Sequence, residues 1–171
     1  MPTLRDRRML VLGLAILMLG VSGGALAVGE AVRPPEIVPG ESRCANYPCQ
    51  MIIKDVQHSA GLVTSAGEFT FCDIGCLLVY MKTKVAENEE ILRAFVHDWP
   101  SGEWTDARTA TYVRTEIRTP MRYGLIAFAS ADEARSYRAQ NGGELLDLQQ
   151  ATHYVMTERA KRMGSATEHG K

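Results

Sequence analysis

Two stretches of this chain, 57 residues apart, spell the same strand-to-helix joint. Phe71-Cys72-Asp73 followed by Tyr80 matches Phe128-Ala129-Ser130 followed by Tyr137. Each ends an apolar, strand-like run on an aromatic residue, places a helix-capping side chain two residues later and puts a second aromatic on the helix. The repeat predicts an α+β domain of two related strand–helix–strand halves, preceded by an N-terminal apolar helix. The alternative is two unrelated joints, since many β-to-α turns share these features. Residues 51–56, 61–64 and 68–71 have strand character, and Asp73 caps a helix through residue 82 with Cys76, Leu77 and Tyr80 inward. Residues 91–97, 107–114 and 124–129 read as further strands. Ser130 and Glu133 form a capping box for a helix that Gly142-Gly143 stops. Residues 145–148 return as strand, and a last helix runs from about residue 149 to 163, ahead of a tail of disordered composition.

The N-terminus has a different character. Arg5, Arg7 and Arg8 precede an uncharged run at 9–29, which Glu30 ends. A helix of that length spans roughly 32 Å, enough for a bilayer core of about 30 Å. Residues 9–21 also suit the apolar region of a signal peptide, with Ala25-Leu26-Ala27 as a small-residue cleavage site. Residues 1–29 are therefore a cleaved signal or a retained membrane anchor, and in either case the positive end stays in the cytoplasm and the rest lies outside. No cysteine stands near the cleavage site, which argues against a bacterial lipoprotein. Residues 30–43, with three prolines, read as a linker. The first 27 residues hold three of the 19 basic and one of the 20 acidic residues, so the exported part carries 16 against 19. That slight negative balance argues against a nucleic-acid partner.

The four cysteines occur as two close pairs, in CANYPCQM (44–51) and CDIGC (72–76). Outside the cytoplasm such sulfurs serve as disulfides, redox groups or ligands of a soft metal. Cu(I) prefers thiolate and thioether, and methionines stand beside these cysteines. In an extended strand Cys49 and Met51 would share a face about 6–7 Å apart, suiting two ligands of one ion. Met121, in the loop TPMRYG, is the candidate third donor, because proline and glycine flank it and a turn is an odd place for a core methionine. A disulfide between Cys44 and Cys49 is the competing reading of the first pair. Cys72 should lie at a strand end beside a helix N-terminus, where the dipole would lower its pKa. Cys76 reads equally as a small buried core residue. His97, in FVHDW, reads as structural, with Asp98 available to fix its tautomer. No nucleophile–base pair, phosphate loop or carboxylate dyad appears at recognisable spacing, so the sequence gives no reason to expect an enzyme.

The segments CANYPCQM, FTFCDIGCLLVYM, AFVHDWPSGEWTDARTATYV, TPMRYGLIAFAS and GGELLDL follow one another between residues 44 and 148. Together they resemble the NosL family, accessory proteins of nitrous oxide reductase. The resemblance implies an α+β domain of two related halves at about 44–150. It also implies a Cu(I) carrier on the periplasmic side of the inner membrane. Its partners would be an ABC-type transporter complex and a copper-enzyme apoprotein. The family's C-x-x-C-G-M falls on Cys44, Cys49 and Met51, with two extra residues between the cysteines and Gln50 at the glycine. Its G-P-M-G turn falls on Met121, with Arg122 at the second glycine, and its F-C on Phe71-Cys72. Cys76 lies outside the pattern. The implied metal set is therefore Cys49, Met51 and Met121, with Cys44 and Cys72 beside them. Two other functions fit an exported cysteine-rich domain: a thiol–disulfide oxidoreductase, and an anchored scaffold in copper-enzyme assembly that binds no metal.

Overall fold

The computed structural model describes residues 31–47 and 49–168, and its regular elements form two hairpin–helix–strand repeats. The first comprises β1 (Ala60–Thr64), β2 (Gly67–Phe71), α1 (Ile74–Ala86) and β3 (Ile91–His97), extended by the short strand β4 (Trp104–Asp106). The second comprises β5 (Thr111–Arg114), β6 (Leu125–Phe128), α2 (Ala131–Asn141) and β7 (Glu144–Leu146); α3 (Leu148–Glu168) follows. Strand orders are β2-β1-β3-β4 and β6-β5-β7, antiparallel throughout. In both sheets the first strand of the repeat is central, the strand before the helix lies on one side and the strand after it on the other. The α+β expectation holds, and the repeating unit gains an initial hairpin strand.

The two joints also agree in detail. Asp73 and Ser130 cap their helices from extended backbone, accepting from Gly75 N and Glu133 N. The Phe71 and Tyr80 rings lie 5.1 Å apart, and the Phe128 and Tyr137 rings 5.3 Å. An aromatic at the strand end thus packs on the helix that follows it.

Period-two alternation in the second sheet decides where the core sits. Tyr112, Leu125 and Ala127 face the main core with α1, α3 and the first sheet, while Val113, Ile126 and Phe128 face a smaller cluster under α2. Asp98 stitches the two sheets at the end of β3. Its Oδ1 accepts from Ala129 N at 2.8 Å, its Oδ2 accepts from Ser101 N and Oγ, and Trp99 N donates to Ala127 O. His97 is structural as expected, but Gly102 O, not Asp98, meets its Nδ1 at 2.8 Å, and the ring lies 3.8 Å from that of Trp104.

Three local expectations change. Residues 51–56 form no strand; a single bridge joins Ile52 to Arg43. Gln50 explains this, because its φ of 45° turns the chain out of the extended region. Residues read as a linker pack on the domain: Pro35 is buried, lying against Gly61 in β1, and Ile37 contacts the main core. The last helix continues to Glu168, past the expected end at residue 163. The expected targeting segment at residues 1–29 lies outside the described residues, among which no helix is long and apolar enough to cross a membrane.

Candidate metal centre

Three segments converge at the N-terminal end of α1. The loop at residues 44–51 closes on itself, with Cys44 N donating to Met51 O at 2.8 Å and Gln50 N to Asn46 O at 3.2 Å. Ala45 N donates to Thr70 O in β2, which holds this loop against the strand that delivers Cys72. Cys72 falls between the end of β2 and the N-cap Asp73, and Cys76 sits in the first turn of α1. The turn at 119–124 supplies Met121 from the second repeat.

The result is a sulfur cluster. The four Sγ atoms all lie within 4.8 Å of one another, and none is in a disulfide. Cys49 Sγ is 3.5 Å from Cys72 Sγ, and Cys72 Sγ is 4.0 Å from Cys76 Sγ. Cys49 Sγ also approaches Met121 Sδ to 3.6 Å, across 72 residues of sequence. Cys44, Cys72 and Cys76 are buried, while Cys49 and Met121 are half-buried. Met51 lies at the surface beside the cluster. It is 43 % exposed, on the rim of a cleft of ≈ 380 Å³ lined also by Ile52, Lys54, Asp55, Cys72 and Pro120. The turn at Gln50 defeats the expected shared face. A second cleft of ≈ 420 Å³ opens at Cys49 and Met121, bordered by Asn46, Tyr123, Arg162 and Met163.

The Met121 turn is braced from two sides. Asp73, 1 % exposed, accepts from Gly75 N at 2.7 Å through Oδ1 and from Met121 N at 2.9 Å through Oδ2. One carboxylate thereby caps α1 and fixes Met121 beside the cysteine that precedes it. Burial pushes the Asp73 pKa up, although Thr119, Met121 and Gly75 all donate to it. From α3, Arg162 donates to Met121 O at 2.8 Å and Arg122 O at 2.9 Å, and its guanidinium stacks 4.6 Å from the Tyr123 ring. The Tyr123 ring covers Gly75, leaving no room for a Cβ there. Arg122 has a φ of 58°, so two of the positions where the family pattern has glycine, 50 and 122, adopt left-handed backbone. Each costs about 1–2 kcal/mol in a residue with a Cβ. Both flank candidate donors.

The thiols do not titrate independently. Hydrogen bonding from Cys72, and next from Cys76, holds Cys44 far below the ordinary thiol range. Cys72 and Cys76 are correspondingly pushed up, chiefly by their bonds to Cys44, and burial raises Cys49. The lowered pKa expected for Cys72 beside the helix N-terminus is thus reversed, because Cys72 keeps its proton to donate to Cys44. One thiolate shared among neighbouring S–H donors is a ready anchor for a soft cation.

The structure brings Cys44, Cys49, Cys72 and Met121 together, a convergence of the two cysteine pairs that the sequence left open, and leaves Met51 43 % exposed. Cys76, read from the sequence as either a Cu(I)-clamping partner of Cys72 or a small core residue, is both buried and in the cluster. Its signal was the position four residues after Cys72, one helical turn inward from the strand end.

Fold and site together define a small α+β domain carrying a sulfur-only site suited to a soft metal ion. A family model, NosL, matches residues 38–156, well over half of the chain, and this chain belongs to the NosL family. Among solved structures it is similar to the crystal structure of the copper chaperone NosL from Shewanella denitrificans. The match has 18 % sequence identity and a TM-score of 0.54, covering 69 % of this chain and 94 % of that one. At that identity the likeness establishes the fold. A search of curated proteins finds no match.

Proposed function

We propose that this chain is an exported metallochaperone whose cargo is Cu(I), bound by Cys49, Cys72 and Met121. The observation that carries the reading is the approach of the Cys49 thiol to the Met121 thioether at 3.6 Å, with Cys72 3.5 Å beyond. A three-coordinate ion with metal–sulfur bonds of about 2.3 Å, as in zinc thiolates, separates its donors by about 4.0 Å. The Cys49–Cys72 and Cys49–Met121 separations need to open by only a few tenths of an ångström to reach that spacing. Low coordination suits a carrier, because an incoming sulfur can bind before a resident one leaves. The clefts beside Cys72 and beside Cys49 and Met121 give a partner's ligand two approaches. Met51, on the rim of the first, acts as an exchange ligand rather than a resting one.

Membership of the NosL family supports placing this work on the periplasmic side of the inner membrane, with the N-terminal segment as signal or anchor. The copper would pass, with an ABC-type transporter complex, toward nitrous oxide reductase or a related copper enzyme. The thiol–disulfide alternative has less support. Its lowest-pKa thiol, Cys44, is 2 % exposed and out of reach of a substrate disulfide.

The test is a competition titration of the reduced full-length chain with Cu(I) and a chromophoric chelator. Met121→Leu, close in volume, should weaken Cu(I) binding at least tenfold while leaving thermal stability nearly unchanged. Wild-type affinity in that variant would remove Met121 from the site.

A further inference from the structure

The carrier site uses three of five clustered sulfurs and leaves Cys44 and Cys76 without a task. Both are buried, at 2 % and 1 % exposure, with Sγ atoms within 4.8 Å of those of Cys49 and Cys72. Their arrangement has a definite shape. Cys44 Sγ lies within 4.8 Å of the Cys72 and Cys76 Sγ atoms, Cys72 and Cys76 stand 4.0 Å apart, and Cys72 also meets Cys49, which meets Met121. Two groups of three sulfurs therefore share one member. The outer one is Cys49, Cys72 and Met121, and the inner one is Cys44, Cys72 and Cys76. Cys72 belongs to both, and a thiolate sulfur has lone pairs enough to bridge two soft ions.

From this geometry we infer that the chain binds two Cu(I) ions, the second held by Cys44, Cys72 and Cys76 and joined to the first through a bridging Cys72 thiolate. Resting on the copper-carrier reading, this adds a site that the carrier role alone does not require. Five donors with one shared make two three-coordinate ions, with no sulfur left over. The separations of 3.5, 3.6 and 4.0 Å suit the roughly 4.0 Å spacing of trigonal coordination. A single tetrahedral ion held by the four thiols would leave the Met121 thioether idle, and a hard or borderline cation would not draw a thioether in. The outer and inner ions differ in access. The outer one faces the clefts at Cys49, Met121 and Cys72, whereas the inner one is enclosed by α1 and the 44–51 loop. The inner ion would stay in place and fix the bridging thiolate while the outer ion is exchanged.

Binding involves no change of oxidation state. Each ligating thiol that still carries a proton releases it to solvent as its copper–sulfur bond forms. The start of α1 helps hold the extra negative charge, since Cys72 lies just before the N-cap and Cys76 lies in the first turn.

The experiment is an anaerobic titration of the reduced full-length chain with Cu(I) against bicinchoninate, with emission of shielded Cu(I)–thiolate clusters as a second readout. Wild type should saturate at two ions and become luminescent as the second binds. Cys76→Ser and Cys44→Ser should each saturate at one ion, lose the emission and keep the outer ion, with thermal melts showing that each variant is folded. Wild type saturating at one ion, with or without an effect of Cys76→Ser on its affinity, overturns the second site and leaves the carrier reading standing. Uptake of no Cu(I) by the folded wild type overturns both.

Discussion

Gly75→Ala probes whether the fold truly sets the position of Met121. Glycine in the first turn of a helix ordinarily costs stability, so alanine should gain up to about 1 kcal/mol from helix propensity. Here the gain meets an obstruction. A Cβ at position 75 would lie 2.7 Å from Cγ and 2.6 Å from Cε2 of Tyr123, and closer still to Cδ2. Ordinary carbon contacts are about 3.5–4.0 Å, so the ring must retreat by an ångström or so. It has little freedom to do that. Arg162 lies over it at 4.6 Å, Tyr154 Oη donates to Tyr123 O at 3.0 Å, and Gly124 follows in left-handed backbone against Thr115 O. Overpacking of this kind costs about 1–3 kcal/mol. The net destabilisation is then about 0–3 kcal/mol, a fall in Tm of up to about 12 °C at 2–4 °C per kcal/mol. The larger effect should fall on copper. Met121 is two residues from Tyr123, so retreat of the ring displaces its thioether from Cys49, and Cu(I) affinity should drop about tenfold, or 1.4 kcal/mol. The assays are a thermal melt and a Cu(I) competition titration. Gly164→Ala serves as control, because a Cβ there meets nothing within 4 Å. Wild-type Tm together with wild-type affinity in Gly75→Ala would refute the claim that Tyr123 transmits the position of α1 to the Met121 turn.

Two further outcomes follow from single side chains. Asp73→Asn keeps a good N-cap but has one acceptor oxygen for two N–H donors, at Gly75 and Met121. Leaving one unsatisfied should cost about 1–3 kcal/mol in chemical denaturation and weaken Cu(I) binding; unchanged values in both would count against the brace. His97 has its pKa lowered from the usual 6.5 by burial, so its neutral form is favoured in the folded state. That stability is fully present above pH 6.5 and is lost as pH falls through the depressed folded value. An NMR titration should show the His97 ring neutral at pH 6.5, and a midpoint at or above 6.5 would contradict its burial.

The two-repeat architecture was legible because each joint carries its own local chemistry. Asp73 and Ser130 cap, Phe71 and Phe128 end strands, and Tyr80 and Tyr137 pack back on them. Such signals act within one helical turn and survive without knowledge of the tertiary fold. The expected strand at 51–56 failed for the same local reason in reverse. Its apolar residues suit a strand, but Gln50 in left-handed backbone and loop bonds such as Cys44 N to Met51 O bend the chain away. Sequence offered Cys49 and Met121 as donors by residue type, yet their 3.6 Å approach depends on packing the second repeat against α1. The Asp73 and Arg162 braces on Met121 are long-range, so no spacing rule could reveal them. The reversal at Cys72 is likewise collective. A helix dipole favours its thiolate, but the neighbouring Cys44 thiolate, reached only in the folded chain, favours its proton.

Copper-edge X-ray absorption on the reduced full-length chain loaded with Cu(I) tests the central claim most directly. An all-sulfur shell with about three scatterers per copper is expected, and at saturation Met121→Leu should lower the sulfur count. A shell built mainly from nitrogen or oxygen, or one indifferent to Met121, would contradict a sulfur-held cargo at the meeting point of the two repeats.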